Sequence, residues 1–90
     1  MPHTCHAIKC SIPVPPRLLM CDAHWFAVPL HLRRAVWHAY VPGQERTKTP
    51  TDAYLQAAAQ AIIAVAEQEG HAVAPMWRRL AERGRRHEMA

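Results

Sequence analysis

Apolar residues in the middle of the chain recur every three or four positions, which is the spacing of one face of an α-helix. They are Leu55, Ala58, Ile62, Val65 and Ala66. Thr49 and Pro50 precede this stripe as a candidate N-cap and first helical residue, and Asp52 follows Thr49 at the spacing of a capping partner. Gly70 follows the last apolar turn and can adopt the left-handed conformation that ends many helices. The pattern predicts a helix over residues 50–69.

A second apolar stripe predicts an earlier helix at about residues 30–40, with Pro29 suited to its first position and Gly43 beyond its end. Its apolar face consists of Leu32, Ala35, Val36, Ala39 and Tyr40. The opposite face carries His31, Arg34 and His38. The boundary between the two faces is formed by Arg33 and Trp37. We expect the apolar face to pack on the core and the polar face to meet solvent.

Shorter elements are predicted around these two helices. Several prolines keep residues 1–20 in an extended form, with a short strand at residues 17–20. A helical turn follows at residues 21–28. Residues 44–48 read as a polar linker between the two longer helices. A further short helix is predicted to run from Pro75 to Gly84.

The composition limits the size of the core. The chain has 90 residues, half of which are apolar, and this is typical of one globular domain. Many of the apolar residues are alanine, and the large rings are one Phe, three Trp and two Tyr, so we expect a thin core. No apolar run is long enough for a membrane span, and the N-terminus lacks the features of a secretory signal. We therefore expect a cytoplasmic protein that does not contact membranes.

The residues best suited to bind a metal are concentrated at the N-terminus. The candidate ligands are Cys5, Cys10, Cys21 and His24. Their spacing, C-x4-C-x10-C-x2-H, gives two ligand pairs joined by a short connection, as in structural zinc sites. Thiols stay reduced in the cytosol, and an odd number of cysteines argues against a disulfide framework. Four protein ligands leave no position for water, so we expect one Zn²⁺ ion in a structural role.

His24 is the preferred fourth ligand because it lies on the same predicted helical turn as Cys21. His3 and His6 are close in sequence and compete for this position. His6 directly follows Cys5, and adjacent side chains usually point in different directions. The choice among the three histidines stays open at the level of sequence.

These elements predict a small, mainly α domain that is stapled by zinc. Residues 1–28 form a zinc-binding knuckle of loops and a short strand, called the knuckle below. Residues 29–84 form the helical part of the same domain, with three to four helices following the metal ligands. Residues 85–90 form a basic tail that we expect to be flexible. Because the core is thin, metal binding in the knuckle would supply part of the folding free energy.

The charge of the chain, +4 in total, is unevenly distributed. Residues 1–50 and 75–90 have an excess of basic side chains, and the charged residues between them are all acidic. Basic regions attract the phosphates of nucleic acid or an acidic protein surface. The candidate contact residues are Arg33, Arg34, Trp37, His38, Arg78, Arg79, Arg83, Arg85 and Arg86. The alternative for these residues is a solvated helix face or helix end, where such charges are common.

No group of side chains predicts catalysis. The chain has one serine, no glycine-rich phosphate loop and no pair of carboxylates placed for acid–base chemistry. His31, His38 and Asp22 are too few to indicate a nuclease with a second, open metal site. We expect neither an enzyme nor a protein with a small-molecule substrate.

The segment CHAIKCSIPVPPRLLMCDAHWFAVPLHLRRAVWHAYVPGQE resembles a group of small, largely uncharacterised zinc-finger-like proteins of bacteriophages and prophages. The shared features are a C-x4-C pair, a VPP-x-LLMC-x2-HW segment and an LR-x2-VW-x2-Y helix before a PGQ turn. The resemblance extends through the YLQAAAQAI helix but does not include the basic tail. It supports the same four metal ligands and implies a mobile-element protein in the cytoplasm of a bacterial host.

The sequence as a whole predicts a zinc-stabilised accessory protein of a phage or mobile element that binds DNA or RNA, or regulates a nucleic-acid process. The alternative is a protein that binds and inhibits a host complex, including a bacterial defence system in the manner of an anti-CRISPR protein. DNA, RNA and a host protein all remain candidate partners, and the oligomeric state stays open.

Overall fold

Helices account for most of the chain in the computed structural model, which describes the backbone of residues 3–89 and the side chains of residues 3–82. The five helices are α1 (Asp22–Ala27), α2 (Leu30–Ala39), α3 (Gln44–Thr47), α4 (Asp52–Glu69) and α5 (Pro75–Met89). The described residues form no extended strand. The predicted fold class, a small and mainly helical domain, is confirmed. None of the described helices combines the length and the apolar character needed to cross a membrane.

Helix α4 begins two residues later than the sequence predicted. The hydroxyl of Thr51 is the N-cap and accepts a hydrogen bond from the N–H of Tyr54 at 3.1 Å. Thr49, the predicted cap, instead has its hydroxyl 2.6 Å from the hydroxyl of Thr47, and this hydrogen bond lies outside the helix. The end of the helix is as predicted, since Gly70 takes a left-handed conformation with φ of 74°.

Helix α4 supplies half of the buried apolar residues that the structure describes, and α2, α5 and the knuckle all pack around it. Its buried residues are Ala57, Ala58, Ala59, Ala61, Ile62, Val65 and Ala66. Four of the five predicted stripe positions are among them, and the fifth, Leu55, is half-buried. The knuckle contributes Cys5, Ala7, Leu19, Met20, Cys21 and Val28 to the same core. The knuckle and the helices therefore share one apolar centre.

Helix α2 has the faces that the sequence predicted. Val36 is buried, and the other residues of the apolar face are half-buried against α4. The three residues of the polar face are all exposed. Of the two boundary residues, Trp37 is exposed and Arg33 is half-buried, and the Nε–H of Arg33 donates a hydrogen bond to the carbonyl of Val28.

The segment after α2 forms the short helix α3, where the sequence predicted a polar linker. Gly43 precedes this helix with φ of 89°, a conformation that glycine adopts without strain. The side-chain oxygen of the buried Gln44 accepts a hydrogen bond from the N–H of Val41 at 2.9 Å. The Tyr40 hydroxyl donates to the Glu45 carboxylate at 2.8 Å. These local hydrogen bonds explain why a polar sequence forms an ordered helical turn here.

The segment that leads into α1 is a turn, so the predicted strand at residues 17–20 is wrong. The N–H of Leu18 donates to the carbonyl of Pro15 at 2.9 Å, and this hydrogen bond closes the turn. The extended pairing in the described part of the knuckle is a single antiparallel bridge between Thr4 and Pro13. Prolines lack the N–H that a longer ladder requires, which keeps the pairing short.

Helix α5 extends further than the sequence predicted. The prediction ended the helix at Gly84 and left residues 85–90 as a flexible tail, whereas the helical backbone continues to Met89. A single glycine lowers helix propensity by about 1 kcal/mol relative to alanine, which is not enough to end a helix. The side chains of Arg83, Arg85 and Arg86 lie outside the described residues, so their predicted contacts stay predictions.

Polar contacts attach α5 to α4 beside the apolar packing of Trp77. The side-chain amides of Gln56 and Gln60 both donate to the carbonyl of Ala81, at 3.2 and 3.3 Å. Arg78 forms an exposed ion pair with Glu67 at 3.6 Å. A surface ion pair of this kind contributes little stability, so we assign the attachment mainly to the buried apolar residues.

Candidate metal centre

Cys5 and Cys10 are presented by a tight turn of the knuckle. The N–H of Cys10 donates to the carbonyl of Ala7 at 3.0 Å, and the N–H of Ala7 points at the sulfur of Cys5 at 3.4 Å. Lys9 adopts a left-handed conformation with φ of 66°, which helps reverse the chain between the two cysteines. Donation of an N–H to sulfur favours the thiolate, and the thiolate is the form that binds metals.

Cys21 and His24 are presented by the first turn of α1. Cys21 is the N-cap residue, with φ of −67° and ψ of 165°, and His24 lies three residues further on. Residues at this spacing lie on the same side of a helix start. Asp22, also in the first turn, places a negative charge at the positive end of the helix. This local arrangement brings one thiol and one imidazole to the same side of α1.

The structure brings the four predicted ligands together. One candidate ligand atom from each of Cys5, Cys10, Cys21 and His24 lies within 4.8 Å of all the others. The Nδ1 atom of His24 is 3.3 Å from the sulfur of Cys21 and 3.7 Å from the sulfur of Cys5. Cys5 and Cys21 are buried, and Cys10 and His24 are half-buried.

The two nitrogen–sulfur distances are compatible with a single tetrahedral ion. Zinc–sulfur bonds of about 2.3 Å and zinc–nitrogen bonds of about 2.0–2.1 Å place the ligand atoms of one ion roughly 3.5–3.8 Å apart. The two observed nitrogen–sulfur distances lie close to this range. All three cysteines are free thiols, as a metal site requires. The arrangement is compatible with a metal site that has a complete set of protein ligands.

Burial and neighbouring groups shift the pKa values of the cluster in different directions. Burial raises the pKa of the Cys5 thiol to about 11. Burial acts in the same direction on Cys21, but hydrogen bonds from the backbone and ring of His24 outweigh it and lower the pKa of that thiol. Burial opposes protonation of His24, whereas its contacts with Cys21 and Glu69 raise its pKa overall. A bound cation would favour the thiolates at all three cysteines, because metal binding displaces their protons.

The two competing histidines are engaged elsewhere. The Nε2 atom of His3 lies 2.8 Å from the carbonyl oxygen of Leu18, and the Nδ1 atom of His6 lies 3.2 Å from the carbonyl oxygen of Leu19. Their rings contact each other, with centroids 5.0 Å apart. Neither histidine belongs to the group of four candidate ligands. The geometry therefore favours His24 as the nitrogen ligand.

Glu69 contacts the cluster from the last residue of α4, and the sequence did not single it out. Its Oε2 atom lies 3.1 Å from the Nε2 atom of His24. The two residues are 45 positions apart, so no local spacing in the sequence could have linked them. The contact depends on how the end of α4 packs beside α1.

The predicted contact residues of α2 lie on one exposed surface. Arg33, Arg34, Trp37 and His38 line a shallow pocket together with Trp25 and Leu30. Phe26 at the end of α1 is 68% exposed, and the Arg33 guanidinium lies over its ring at 5.3 Å. Leu30 and Trp37 are also about half exposed. Below, the exposed residues Phe26, Leu30, Arg34 and Trp37 and the half-buried Arg33 are together called the aromatic–arginine surface.

The sequence missed Phe26 and Leu30 as members of this surface. Apolar residues next to metal ligands and helix starts are usually assigned to a core, and only the packing shows that these two are exposed. Arg78 and Arg79 are exposed on α5, as predicted for contact residues. Arg78 lines a different cavity, beside His31 and Glu67 between α2, α4 and α5.

Comparisons of the chain with protein-family models, with curated proteins and with solved structures found no match. The resemblance to bacteriophage and prophage proteins therefore stays a prediction.

Proposed function

We propose that the chain is a zinc-stabilised accessory protein that binds nucleic acid in the cytoplasm of a bacterial host. The observation that carries the zinc assignment is the cluster of Cys5, Cys10, Cys21 and His24. Three thiolates and one imidazole are the ligands that Zn²⁺ prefers in structural sites. Because all four positions are filled by protein, the ion would hold the fold rather than activate water.

The proposed role of the ion is to join two parts of the knuckle, the Cys5–Cys10 turn and the start of α1, at the edge of the core. Cys5 and Cys21 belong both to the ligand cluster and to the apolar core, where they pack with residues of α2 and α4. A metal ion at this point therefore crosslinks the N-terminal turn to the start of α1 beside the core. In a chain with so few large apolar side chains, such a crosslink supplies folding free energy that packing alone provides poorly.

Nucleic-acid binding is supported by the aromatic–arginine surface. Exposed aromatic rings can stack on bases, and arginines beside them can pair with phosphates. Trp37 and Phe26 offer rings next to Arg33 and Arg34 on one side of the molecule. Rings of this kind suit unpaired bases better than a closed duplex, so single-stranded DNA or RNA is the partner we expect to bind more tightly.

A host protein is the second candidate partner, and the exposed apolar side chains favour it. Phe26, Leu30 and Trp37 are each 44–68% exposed, and aromatic and arginine anchors dominate many protein interfaces. In that case the same surface would bind a host complex, for example one that acts in defence against phage. The two candidates use the same residues but differ in their dependence on salt.

Fluorescence polarisation with labelled single-stranded DNA, single-stranded RNA and duplex DNA tests the proposal. We expect binding that weakens steeply between about 50 and about 200 mM salt, because each phosphate contact releases counterions. Trp37→Ala should cost about 1–3 kcal/mol of binding free energy, the usual value of one base–aromatic stack. Met76→Ala is the matched control, since Met76 is an apolar side chain of similar exposure on α5.

A second pair of variants separates a local contact from a general charge effect. Arg34→Gln and Arg46→Gln each remove one positive charge from an exposed helical position. Arg34→Gln should weaken binding more and should reduce the salt dependence, whereas Arg46→Gln should change affinity little. Neutral replacements of Arg78 and Arg79 show whether α5 adds to the same interface. No binding to any of the three nucleic acids at low salt would overturn the proposal, and a stoichiometric, salt-insensitive complex with a host protein would establish the second candidate.

A further inference from the structure

The two ring nitrogens of His24 face different partners. Nδ1 points toward the sulfurs of Cys5 and Cys21, and Nε2 lies 3.1 Å from the carboxylate of Glu69. An imidazole that donates its Nε2–H to a carboxylate presents the lone pair of Nδ1 on the opposite side of the ring. Histidines that bind metals usually donate their second ring N–H to such an acceptor, which fixes the ring and strengthens its basicity.

The end of α4 is held in position for this contact by its neighbours. Gly70 closes the helix with its N–H directed at the carbonyls of Ala66 and Glu67, and the N–H of His71 donates to the carbonyl of Ala66 at 2.8 Å. The His71 ring lies 3.8 Å from the second oxygen of Glu69. The Glu69 side chain, which is 39% exposed, therefore has a histidine ring nitrogen near each of its two oxygens.

A second contact joins the end of α4 to the last residue of α1. The side-chain amide of Gln68 donates to the carbonyl of Ala27, the last residue of α1, at 2.9 Å. Consecutive residues of α4 thus bind both ends of α1, one through a candidate metal ligand and one through the backbone. These two contacts connect the end of α4 to the helix that carries His24 and directly follows Cys21.

The position of Glu69 in its helix also needs an explanation. A negative charge in the last turn of a helix is unfavourable by roughly 0.3–1 kcal/mol, because the helix end is itself negative. The contact with His24 offsets this cost, and it becomes more favourable when the ring carries a metal ion and so attracts the carboxylate. A carboxylate at this position fits a role in the metal centre better than a role in helix stability.

We propose that Glu69 is a positioning residue of the metal centre, which holds the His24 ring so that Nδ1 binds the ion. The inference rests on the proposed zinc binding and extends it to α4, a helix that contributes no ligand. Its consequence is that the metal joins three parts of the chain, namely the Cys5–Cys10 turn, the start of α1 and the end of α4. The opposing view is that Glu69 and His24 form an ordinary surface pair, with no effect on the metal.

Zinc affinity of full-length Glu69 variants tests the proposal. Competition with a chromophoric chelator should show that Glu69→Ala binds Zn²⁺ about 10–100-fold more weakly than the unaltered protein, the usual cost of losing such a partner. Glu69→Gln should be affected less, since its amide oxygen still accepts a hydrogen bond. Glu67→Ala is the matched control, because this carboxylate lies on the same helix but pairs with Arg78. The zinc affinity of this variant should be within about threefold of that of the unaltered protein.

A second measurement uses the unaltered protein and does not depend on how the variants fold. Long-range ¹H–¹⁵N NMR of the zinc-loaded protein distinguishes the metal-bound nitrogen of His24 from the protonated one. We expect metal on Nδ1 and hydrogen on Nε2. Metal on Nε2, or an unchanged affinity of Glu69→Ala in a protein that binds zinc, would overturn the proposal while leaving the zinc site intact. Failure of the unaltered protein to bind zinc would overturn the proposed function and this inference together.

Discussion

The hydroxyl of Thr51 accepts a hydrogen bond from the backbone N–H of Tyr54, and this contact marks the true start of helix α4. It satisfies one of the N–H groups that the first turn of every helix leaves without a partner. The sequence offers three threonines in five positions before the helix, at positions 47, 49 and 51. The hydroxyls of Thr47 and Thr49, the two threonines further from the helix, bond to each other. The innermost one is left to cap the helix.

Thr51→Ala should therefore destabilise the protein by about 0.5–2 kcal/mol, the usual cost of removing an N-cap side chain. Thr49→Ala is the matched control and should cost less, since the exposed hydroxyl of Thr49 bonds to the hydroxyl of Thr47 and does not cap α4. Urea unfolding of the metal-loaded proteins provides the comparison. If Thr49→Ala lowered the free energy of unfolding more than Thr51→Ala, Thr49 would be the cap, as the sequence predicted.

Purified protein should contain about one equivalent of zinc, because the cluster offers one complete set of four ligands. Cys21→Ser should lose most of this zinc. His6→Ala should keep it, since the His6 ring lies against a backbone carbonyl and outside the cluster. Elemental analysis of the unaltered protein and the two variants, each with fully reduced cysteines, measures the zinc content. Equal zinc loss in the two variants would show that His6, not His24, completes the site.

Removal of the metal should loosen the knuckle before it affects α4. The N–H groups of Cys5 and His6 donate to the carbonyls of Ile12 and Leu19, and these hydrogen bonds connect loops that an ion bound to the four candidate ligands would hold together. After chelation we expect these amides to exchange with solvent much faster, whereas amides in the middle of α4 near Ile62 keep more protection. Hydrogen exchange before and after chelation reports both regions.

Restoring zinc should restore the protection of the knuckle amides, which separates metal loss from irreversible damage. Uniform loss of protection in the knuckle and α4 would mean that the metal supports the whole fold in one cooperative unit. No change after verified removal of zinc would mean that the ion does not stabilise the fold at all.

Ile62→Ala should be among the most destabilising substitutions in the chain. Ile62 is 1% exposed and is one of the largest fully buried side chains. Truncation of such a residue costs about 2–5 kcal/mol, because it removes buried surface and leaves a cavity. The neighbouring Ile63 is half-buried and lines an open cavity, so Ile63→Ala should cost clearly less. If urea unfolding showed the same loss of stability for Ile62→Ala and Ile63→Ala, the face of α4 that carries Ile62 would not be the buried one.

The local elements of this protein follow from its sequence, because they depend on residues that are close together along the chain. Helical spacing located α2 and α4, Gly70 ended α4 as expected, and the cysteine and histidine spacing selected the four residues that meet in the metal centre. Two ligands on one helical turn and two on one tight loop need few tertiary contacts to come near each other. Candidate ligands with such a spacing can therefore be recognised from the sequence alone.

Where several local solutions compete, the sequence was less informative. It indicated Thr49 as the cap, whereas Thr51 is the cap in the structure. It also predicted a linker at residues 44–48, although Gln44 and Tyr40 make hydrogen bonds that order a helical turn there. The predicted strand at residues 17–20 failed for a similar reason, since apolar residues beside prolines suit a turn as well as a strand. Free-energy differences of about 1 kcal/mol between local conformations decide such cases, and contacts with neighbouring residues are large enough to provide them.

The outer part of the metal centre and the exposed surface were decided by tertiary structure alone. Glu69 contacts His24 because the end of α4 packs beside α1, an arrangement that depends on the core around Ile62 and Val65. Phe26 is 68% exposed although it lies on the same short helix as His24, and only the packing of α1 shows this. Local spacing carries information over one or two helical turns, whereas the meeting of two helix ends depends on the packing of the whole chain.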